Sequence, residues 1–380
     1  MTIRVCHILS GDLWAGAEVM AFHLIRGLKA QSGTELFAIV LNEGKLSQQL
    51  EDSGVSVFIT DETRLSFREI VWTAARIVRQ KAPDILHAHR YKENLLAYLV
   101  SIPLKGGAAL VSTQHGMPEY NYGGAPAMLS RLKSQLNYRL MASRFDTTVA
   151  VSSDIKKTLV RDYGFRANRV DMIHNGIVVP KMNRRSGGKP GFVVGSAGRF
   201  VAVKDYPLMV NVAKEVIMKA GEIRFELAGE GPALGDIQVL IDKYGLQGHF
   251  NLCGFLDDVS PYYQGLDVYV NTSLHEGIPM SVLEAMAYGV PVVVPKVGGF
   301  QEFVTDGVDG YLVDSRNPAD FRDRILALYE NETLRERMGH AARQNVIQGF
   351  STEHMVNAYL DMYSRLIENA GQRRRQRRFF

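Results

Sequence analysis

Cysteine is nearly absent: Cys6 and Cys253 are the only two in 380 residues. Two thiols build neither a disulfide framework nor a cysteine zinc site, so both read as reduced residues beside apolar strand positions. No apolar run reaches the roughly 18 residues a bilayer-spanning helix needs. The first residues, "MTIRVCHILSGDLWAGAE", lack a signal peptide's long apolar core and cleavage site and read as a strand entering a glycine-containing loop; the expected location is the cytoplasm. GxxxxGK[ST] and GxSxG are both missing, which removes a P-loop nucleotidase and the common hydrolase elbow. The ten histidines show no paired ligand spacing. Neither sign of charge dominates, at a net +4, yet the last ten residues, "GQRRRQRRFF", hold five arginines and two phenylalanines. That gathers basicity at one end.

What is present is length and rhythm. A chain of 380 residues is comfortable for two cores. Short apolar runs alternate with helical patterns: "IRVCHIL", a helix over 17–30, "ELFAIVL", "VSVFIT", a helix over 67–80, "DILHAH", "ALVSTQHG" and "TTVAVS". The polar stretch "PKMNRRSGGKPG" then reads as a linker. A second set follows: "FVVGSAGRF", a helix over 207–219, "IRFELAGEG", "FNLCGFL", "LDVYVNTS", a short helix, "PVVVP", "GYLV" and a helix over 318–331. The expected class is α/β, with two Rossmann-like, doubly wound parallel-sheet domains over 1–180 and 181–350. Residues 351–370 are expected as a helix bridging the domains and 371–380 as a basic tail. Such sheets bind ligands beyond the carboxyl ends of their strands, so an interdomain cleft is expected.

The stretch "SLHEGIPMSVLEAMAYGVPVVVP", residues 273–295, sets Glu276 and Glu284 on either side of a helix start. Pro279 suits a first turn, residues 280–288 are mostly helix formers, and Gly289 suits a C-cap. First-turn amides lack intrahelical partners and favour an anion, which a carboxylate could simply satisfy. Glu284 lies among Leu283, Ala285, Met286 and Ala287, where an acid calls for a cleft or a partner. After "FVVGSAG", Arg199 offers a planar fork and Lys204 a mobile point charge, together suited to a diphosphate; the bland alternative is two surface cations. "LAGEGPALG" is spaced GxGxxxG and lacks the acidic residue that a dinucleotide fold carries about 20 positions on, so it is a weak match. His87 and His89, two apart at a strand end, share a face as ligands or as structural residues. Asp257 and Asp258 read as a helix cap and not as a metal pair.

In order and spacing, "WAGAE", "TQHG", "VAVSS", "VDMIHNGI", "GRFVAVKDY", "LAGEGP", "HEGIPMSVLEAMAYGVPVV" and "VGGFQEFVTDGVDGYLV" resemble the retaining family 4 glycosyltransferases (glycosyl transferases group 1) of the GT-B fold over nearly the whole length. The resemblance implies a sugar-nucleotide donor in the second domain, with UDP favoured and GDP the alternative, and no cofactor or metal. It implies that Glu284 holds the ribose diol and that Glu276 faces the hydroxyls of the transferred sugar. The helix-start amides around Gly277 to Met280 would meet phosphate or sugar oxygens, with Gly198, Gly229, Ile278 and Pro279 lining the donor site. Gly16 would let opposing amides approach the diphosphate, unless it serves only a tight turn. His115 of "TQHG" would orient the sugar, and Arg199 and Lys204 would stabilise the leaving group. The family has Lys-Gly where this chain has Lys204-Asp205, which puts the loop's geometry in question.

The implied function is transfer to a hydroxyl acceptor in bacterial lipopolysaccharide, exopolysaccharide or other glycoconjugate synthesis. The alternatives are a GT-B sugar-nucleotide epimerase and a nucleic-acid-binding protein acting through the tail, for which no recognition fold is present. Residues 125–145, "APAMLSRLKSQLNYRLMASRF", carry apolar residues at helical spacing among basic ones. With the tail they raise attachment to an anionic membrane face, which would suit a lipid-linked acceptor.

Overall fold

The computed structural model describes residues 2–12, 14–104, 107–117, 128–181 and 191–376. The chain divides into two compact units at Gly176/Ile177 and again at Ser351/Thr352, the last helix belonging with the first unit. Most of the expected linker, residues 182–190, lies outside the described residues, as do 118–127 and 377–380. Among the described residues, no helix is long and apolar enough to cross a membrane.

The first unit is a seven-stranded parallel sheet: β1 (Ile3–Leu9), β2 (Thr34–Val40), β3 (Ser56–Ile59), β4 (Ile85–Ala88), β5 (Ala109–Gln114), β6 (Thr147–Ala150) and β7 (Val170–Met172), in the order β3-β2-β1-β4-β5-β6-β7. Its helices are α1 (Gly16–Lys29), α2 (Lys45–Asp52), α3 (Phe67–Lys81), α4 (Tyr91–Ser101), α5 (Met128–Arg144) and α6 (Ser153–Tyr163). Local sequence explains several boundaries. Ser66 and Glu69 form a capping box that starts α3, Ile70, Ala74 and Val78 bury its inner face, and Ala82 in left-handed conformation ends it before Pro83. From Val5 onward β1, and all of β4, are buried on both faces, as in a sheet covered on both sides. Their register sets His7 beside His87.

The second unit has β8 (Val193–Ala197), β9 (Arg224–Ala228), β10 (Phe250–Gly254), β11 (Val268–Val270), β12 (Val292–Pro295) and β13 (Gly310–Val313), all parallel, in the order β10-β9-β8-β11-β12-β13. Around them lie α7 (Tyr206–Ile217), α8 (Leu234–Lys243), α9 (Ser260–Gln264), α10 (Met280–Ala287), α11 (Pro318–Glu330) and α12 (Glu332–Gly349). In each sheet the strand order reverses direction once, between β1 and β4 and between β8 and β11, and chain beyond the carboxyl ends at such points is where open α/β sheets bind ligands. The closing helix α13 (Thr352–Gln376) packs on α1 of the first unit, where Gly27 makes room: a Cβ there would lie 2.4 Å from Val356 Cγ2.

Candidate active site

In the second unit, the chain leaves β8 through Gly198, places Arg199 on the surface, and makes a 3-10 turn, Ala202–Lys204, before α7. Lys204 Nζ lies 2.5 Å from Glu276 Oε1, which also accepts a hydrogen bond from Ser273 Oγ at 2.7 Å. Both side chains of this ion pair are largely shielded from water. The loops that carry them are tied together: Thr272 Oγ1 donates to the carbonyls of Lys204 and Asp205, and Leu274 N–H to that of Val203. Arg316, after β13, clamps both, donating to the carbonyls of Ser273 (3.0 Å) and Thr272 (2.6 Å) and pairing with the Asp205 carboxylate.

Asp205 answers the departure from Lys-Gly. It takes the left-handed conformation a glycine would take, φ 45° and ψ 51°, at a cost on the order of 1 kcal/mol for a residue with a Cβ. Its carboxylate accepts from Leu208 N–H at the start of α7 and pairs with Arg316, so loop geometry is kept by added contacts.

Glycines bring the loops of this unit together. A Cβ on Gly229 would fall 2.0 Å from the Gly198 carbonyl oxygen, and one on Gly231 2.6 Å from that of Phe200. "LAGEG" therefore packs the ends of β8 and β9 together. Gly299 would clash likewise with Gly277 O at 1.9 Å, and its N–H donates to Glu276 O at 3.0 Å, so the "VGGF" glycines back the loop that presents Glu276, Gly277 and Ile278. Pro279 occupies the N-cap position of α10, just before the first turn where it was expected, and Gly289, at φ 75°, follows that helix.

Glu284, on α10, is half-buried, and its carboxylate accepts from Tyr263 Oη at 2.7 Å. Removal from water pushes its pKa up to about 7, against the Tyr263 hydrogen bond, which acts to lower it. Asp258 lies one residue ahead of Val259, the N-cap of α9, and accepts from Ser260 N–H, so it engages the helix start without being the cap expected of it.

The first unit gathers a different set. Gly16 is the first residue of α1, while the positive-φ glycine of the β1–α1 loop is Gly11, whose Cβ would meet Val40 Cγ1 at 2.7 Å. His115, just past β5, is half-buried, with its Nε2 3.3 Å from His89 Nδ1; His89 Nε2 is in turn 3.2 Å from His7 Nδ1. The rings of His87 and His89 stack at 4.3 Å between centroids. His7, His87 and His89 offer nitrogens within 4.8 Å of one another, a spacing open to a metal ion. Both His87 nitrogens are already engaged, by Tyr363 Oη (2.6 Å) and Thr113 Oγ1 (2.8 Å), so a metal would have to displace a hydroxyl. Burial lowers the pKa of all four imidazoles, His7 and His115 to about 3. Beside them a cavity of about 10 Å³, room for one water, is lined by Ser10, Glu18, His89, Arg90 and Glu93.

The sequence-predicted residues Lys204, Glu276, Gly277 and Ile278 come together on neighbouring loops. Arg199 lies on the same β8–α7 segment, and Glu284 one helical turn into α10. Arg316, Ser273, Tyr263 and His7 escape sequence reasoning, and His89, noted there beside His87, was not foreseen as a partner of His115. Ser273 stood within the quoted motif, but nothing local to Arg316, Tyr263 or His7 marks them.

Residues 181–345 match the family described as glycosyl transferases group 1, and residues 14–179 the family described as glycosyltransferase family 4. A Staphylococcus aureus (strain COL) poly(ribitol-phosphate) alpha-N-acetylglucosaminyltransferase is 31% identical over 45% of this chain, which spans 35% of that protein's length. The Escherichia coli UDP-Gal:alpha-D-GlcNAc-diphosphoundecaprenol alpha-1,3-galactosyltransferase is 22% identical over 97% of this chain and 98% of its own. Among solved structures, Anabaena Alr3699/HepE in complex with UDP and glucose superposes with a TM-score of 0.83 at 17% identity, covering 95% of this chain and 99% of that one; it shows the GT-B fold.

Proposed function

Because the chain belongs to the family 4 glycosyltransferases of the GT-B fold, we propose that it transfers a sugar from a nucleotide-diphosphate donor to a hydroxyl acceptor in glycoconjugate or polysaccharide synthesis. The observation that carries this reading is the Lys204–Glu276 pair on the loops after β8 and β11, with Glu284 on the helix that follows. A donor diphosphate draws Lys204 toward itself and frees Glu276 for sugar hydroxyls. Glu284, as a carboxylate, accepts both protons of a ribose diol. UDP is the favoured nucleotide, supported by the UDP in the Anabaena structure and the UDP-sugar in the Escherichia coli enzyme's name.

The acceptor oxygen attacks the anomeric carbon on the face from which the diphosphate departs, the bond from that carbon to the phosphate oxygen breaks, and the acceptor proton passes to the leaving oxygen. Configuration is retained. Arg199 and Lys204 meet the charge that collects on the diphosphate, so turnover persists in a chelator. His115 takes a sugar hydroxyl. The acceptor is a glycan or a lipid-linked sugar. A lipid-linked one suits attachment to an anionic membrane face through α5, whose Leu132 (49% exposed) and Leu136 (53%) stand outward beside Arg131, Lys133 and Arg139.

The test is thermal unfolding with UDP-, GDP- and ADP-sugars. A true donor at 100 times its dissociation constant stabilises by about 2.7 kcal/mol, and the same compound is consumed only when an acceptor is supplied. A panel in which no sugar nucleotide shifts unfolding overturns the reading, and acceptor-free conversion to a free sugar favours the epimerase.

A further inference from the structure

We propose that the outer surfaces of α3, α4 and α5 make one docking face for an anionic lipid bilayer. Trp72 and an apolar stripe on α4 enter the headgroup region, and the arginines and lysines of α3 and α5 meet the lipid charge. The proposal extends the attachment reading given for α5 and rests on it; it asks nothing of the donor.

The outer side of α4 lacks the polar residues its position calls for. A helix in the outer layer of a domain buries one side and shows water a polar one. In α4, Leu96, Ala97 and Val100 enter the core beneath. On the opposite side Tyr91, Leu95, Tyr98 and Ile102 succeed one another at i, i+4, i+7 and i+11, a stripe without a charge. Leu95 and Tyr98 are half-buried, Tyr91 is exposed, and Ile102, the C-cap residue, is 57% exposed. Lys92 is drawn aside by Glu62. A helix apolar on both sides calls for a cover on both, yet among the described residues the outer stripe reaches the surface.

Basic flanks border this stripe. α4 packs between α3 and α5, and all three turn their inner sides into one core cluster, whereas α1 and α2 cover the other face of the sheet. On α3, Arg68, Trp72, Arg76 and Arg79 form an outward row at i, i+4, i+8 and i+11, with Trp72 67% exposed. On α5, Arg131, Lys133 and Arg139 stand exposed beside Leu132 and Leu136. Arg144 joins α5 to the stripe, its guanidinium carbon 5.8 Å from the centre of the Tyr98 ring. The three helices hold two acids: Glu69, tied to Ser66 at the α3 cap, and Glu93, buried and held by Ser10.

Charge and apolarity together select the occupant. Nucleic acid would meet the cations and leave the stripe in water. A second copy of this chain would bring the same sign of charge to the face. A bilayer takes an indole at headgroup level, admits apolar side chains about 5–10 Å into the boundary, and offers anionic lipid to the flanks. With this face down, β4 and β5 lie along the bilayer, and their carboxyl ends, beyond which His115 stands, open along the headgroups. A lipid-linked acceptor then reaches that edge without leaving the membrane.

The chain has two tryptophans, Trp14 and Trp72, so full-length Trp14→Phe carries one indole, on the proposed face. With phosphatidylglycerol-containing vesicles at low salt its emission moves to the blue and is quenched by brominated lipid; phosphatidylcholine alone does neither. In cosedimentation, Trp72→Ser weakens binding about tenfold and Ile102→Ser about fivefold, as loss of partly inserted side chains requires. Arg76→Gln weakens it about fivefold at low salt. Met218→Ser, equally exposed but in the second unit, binds as the parent does. If the parent cosediments while the Trp72 emission stays in place, or if Trp72→Ser or Ile102→Ser binds normally, the face is overturned and attachment through α5 stands. A parent that ignores anionic vesicles overturns both. A blue shift that appears without lipid as the chain doubles in mass by light scattering overturns the proposal in favour of a second copy. Should Trp14→Phe not fold, the difference in emission between the parent and Trp72→Phe gives the same reading.

Discussion

Lys204 and His115 stand beyond the carboxyl ends of two sheets that share a six-strand order, the first with one strand more, yet their surroundings handle charge in opposite ways. Around Lys204 charged side chains stand in opposite pairs: Lys204 with Glu276, Arg316 with Asp205. Around His115 burial keeps the imidazoles neutral, and they lean on one another and on hydroxyls, with the Arg90–Glu18 pair beside His89 as the nearby ions. The first arrangement suits a site that must take up an anion, because a ligand's charge can replace a counter-ion already there. The second suits a site that meets uncharged hydroxyls.

The sharpest way to break this contrast is to remove a cation. Lys204→Ala and Arg199→Ala are each expected to lower turnover about 100-fold or more, the cost of deleting one electrostatic stabiliser of a developing anion, while circular dichroism and unfolding temperature stay close to the parent's. Donor consumption is the measurement. Near-normal turnover in either variant removes that residue from the leaving-group role, and with Lys204 it removes the reason for pairing ions there at all.

How much of this could be read in advance differs between the two regions for a physical reason. Lys204, Glu276 and Glu284 lie in short stretches whose local grammar, a strand end and a helix start, already says where the side chains go. The parallel sheets were legible for the same reason, since strands and helices alternate with their own periods. His7 and His89 become partners only through the register that sets β1 beside β4, and register is a tertiary fact. Arg316 lies 111 residues from Asp205 along the chain, and no periodicity connects them. Asp205 was visible as a departure, but the contacts that make it tolerable were not.

Glu284 allows a finer comparison, because it is an acid of the ionic region that burial has pushed toward neutrality. Its pKa of about 7 stands above the ordinary 4.5. The sign follows: the folded protein prefers the protonated form, so this residue's contribution to stability is greatest at low pH, declines as pH rises from about 4.5 through about 7, and is level above that. Binding a ribose diol through two accepted protons draws on the carboxylate instead. The donor dissociation constant is expected to fall about tenfold between pH 6 and pH 8, following the ionised fraction of a group with that pKa. In Glu284→Gln the slope disappears and the affinity is weak at both values. Titration calorimetry with the donor decides it; a wild-type affinity that ignores pH would detach Glu284 from the ribose.

The outer face of α5 sharpens the contrast in a third way, since its basic residues have no counter-ion role in either region. If they meet anionic lipid, each contributes about 1 kcal/mol. Lys133→Gln should then weaken binding to anionic vesicles about fivefold, and Leu136→Gln should weaken it at high salt, where the charge contribution is screened. Cosedimentation with anionic and neutral vesicles gives the answer. Intact protein that ignores anionic vesicles at low salt ends the attachment reading.

The smallest expected effect probes how the ionic region is held together. Asp205 occupies a backbone conformation that a glycine adopts freely, which costs on the order of 1 kcal/mol; its carboxylate returns a comparable amount through the cap on Leu208 and the pair with Arg316. Asp205→Gly should therefore change stability by less than about 1 kcal/mol in either direction, the backbone relief offsetting the lost contacts. Arg316→Ala should cost more, because it also strips the carbonyls of Thr272 and Ser273 of their donor. The two substitutions share one contact, so their double mutant should be less destabilised than the sum of the singles by roughly 0.5–1 kcal/mol. Urea unfolding of the four proteins measures that coupling. Strict additivity would mean that the Asp205–Arg316 pair contributes nothing, and that Arg316 holds the loop through its carbonyl contacts alone.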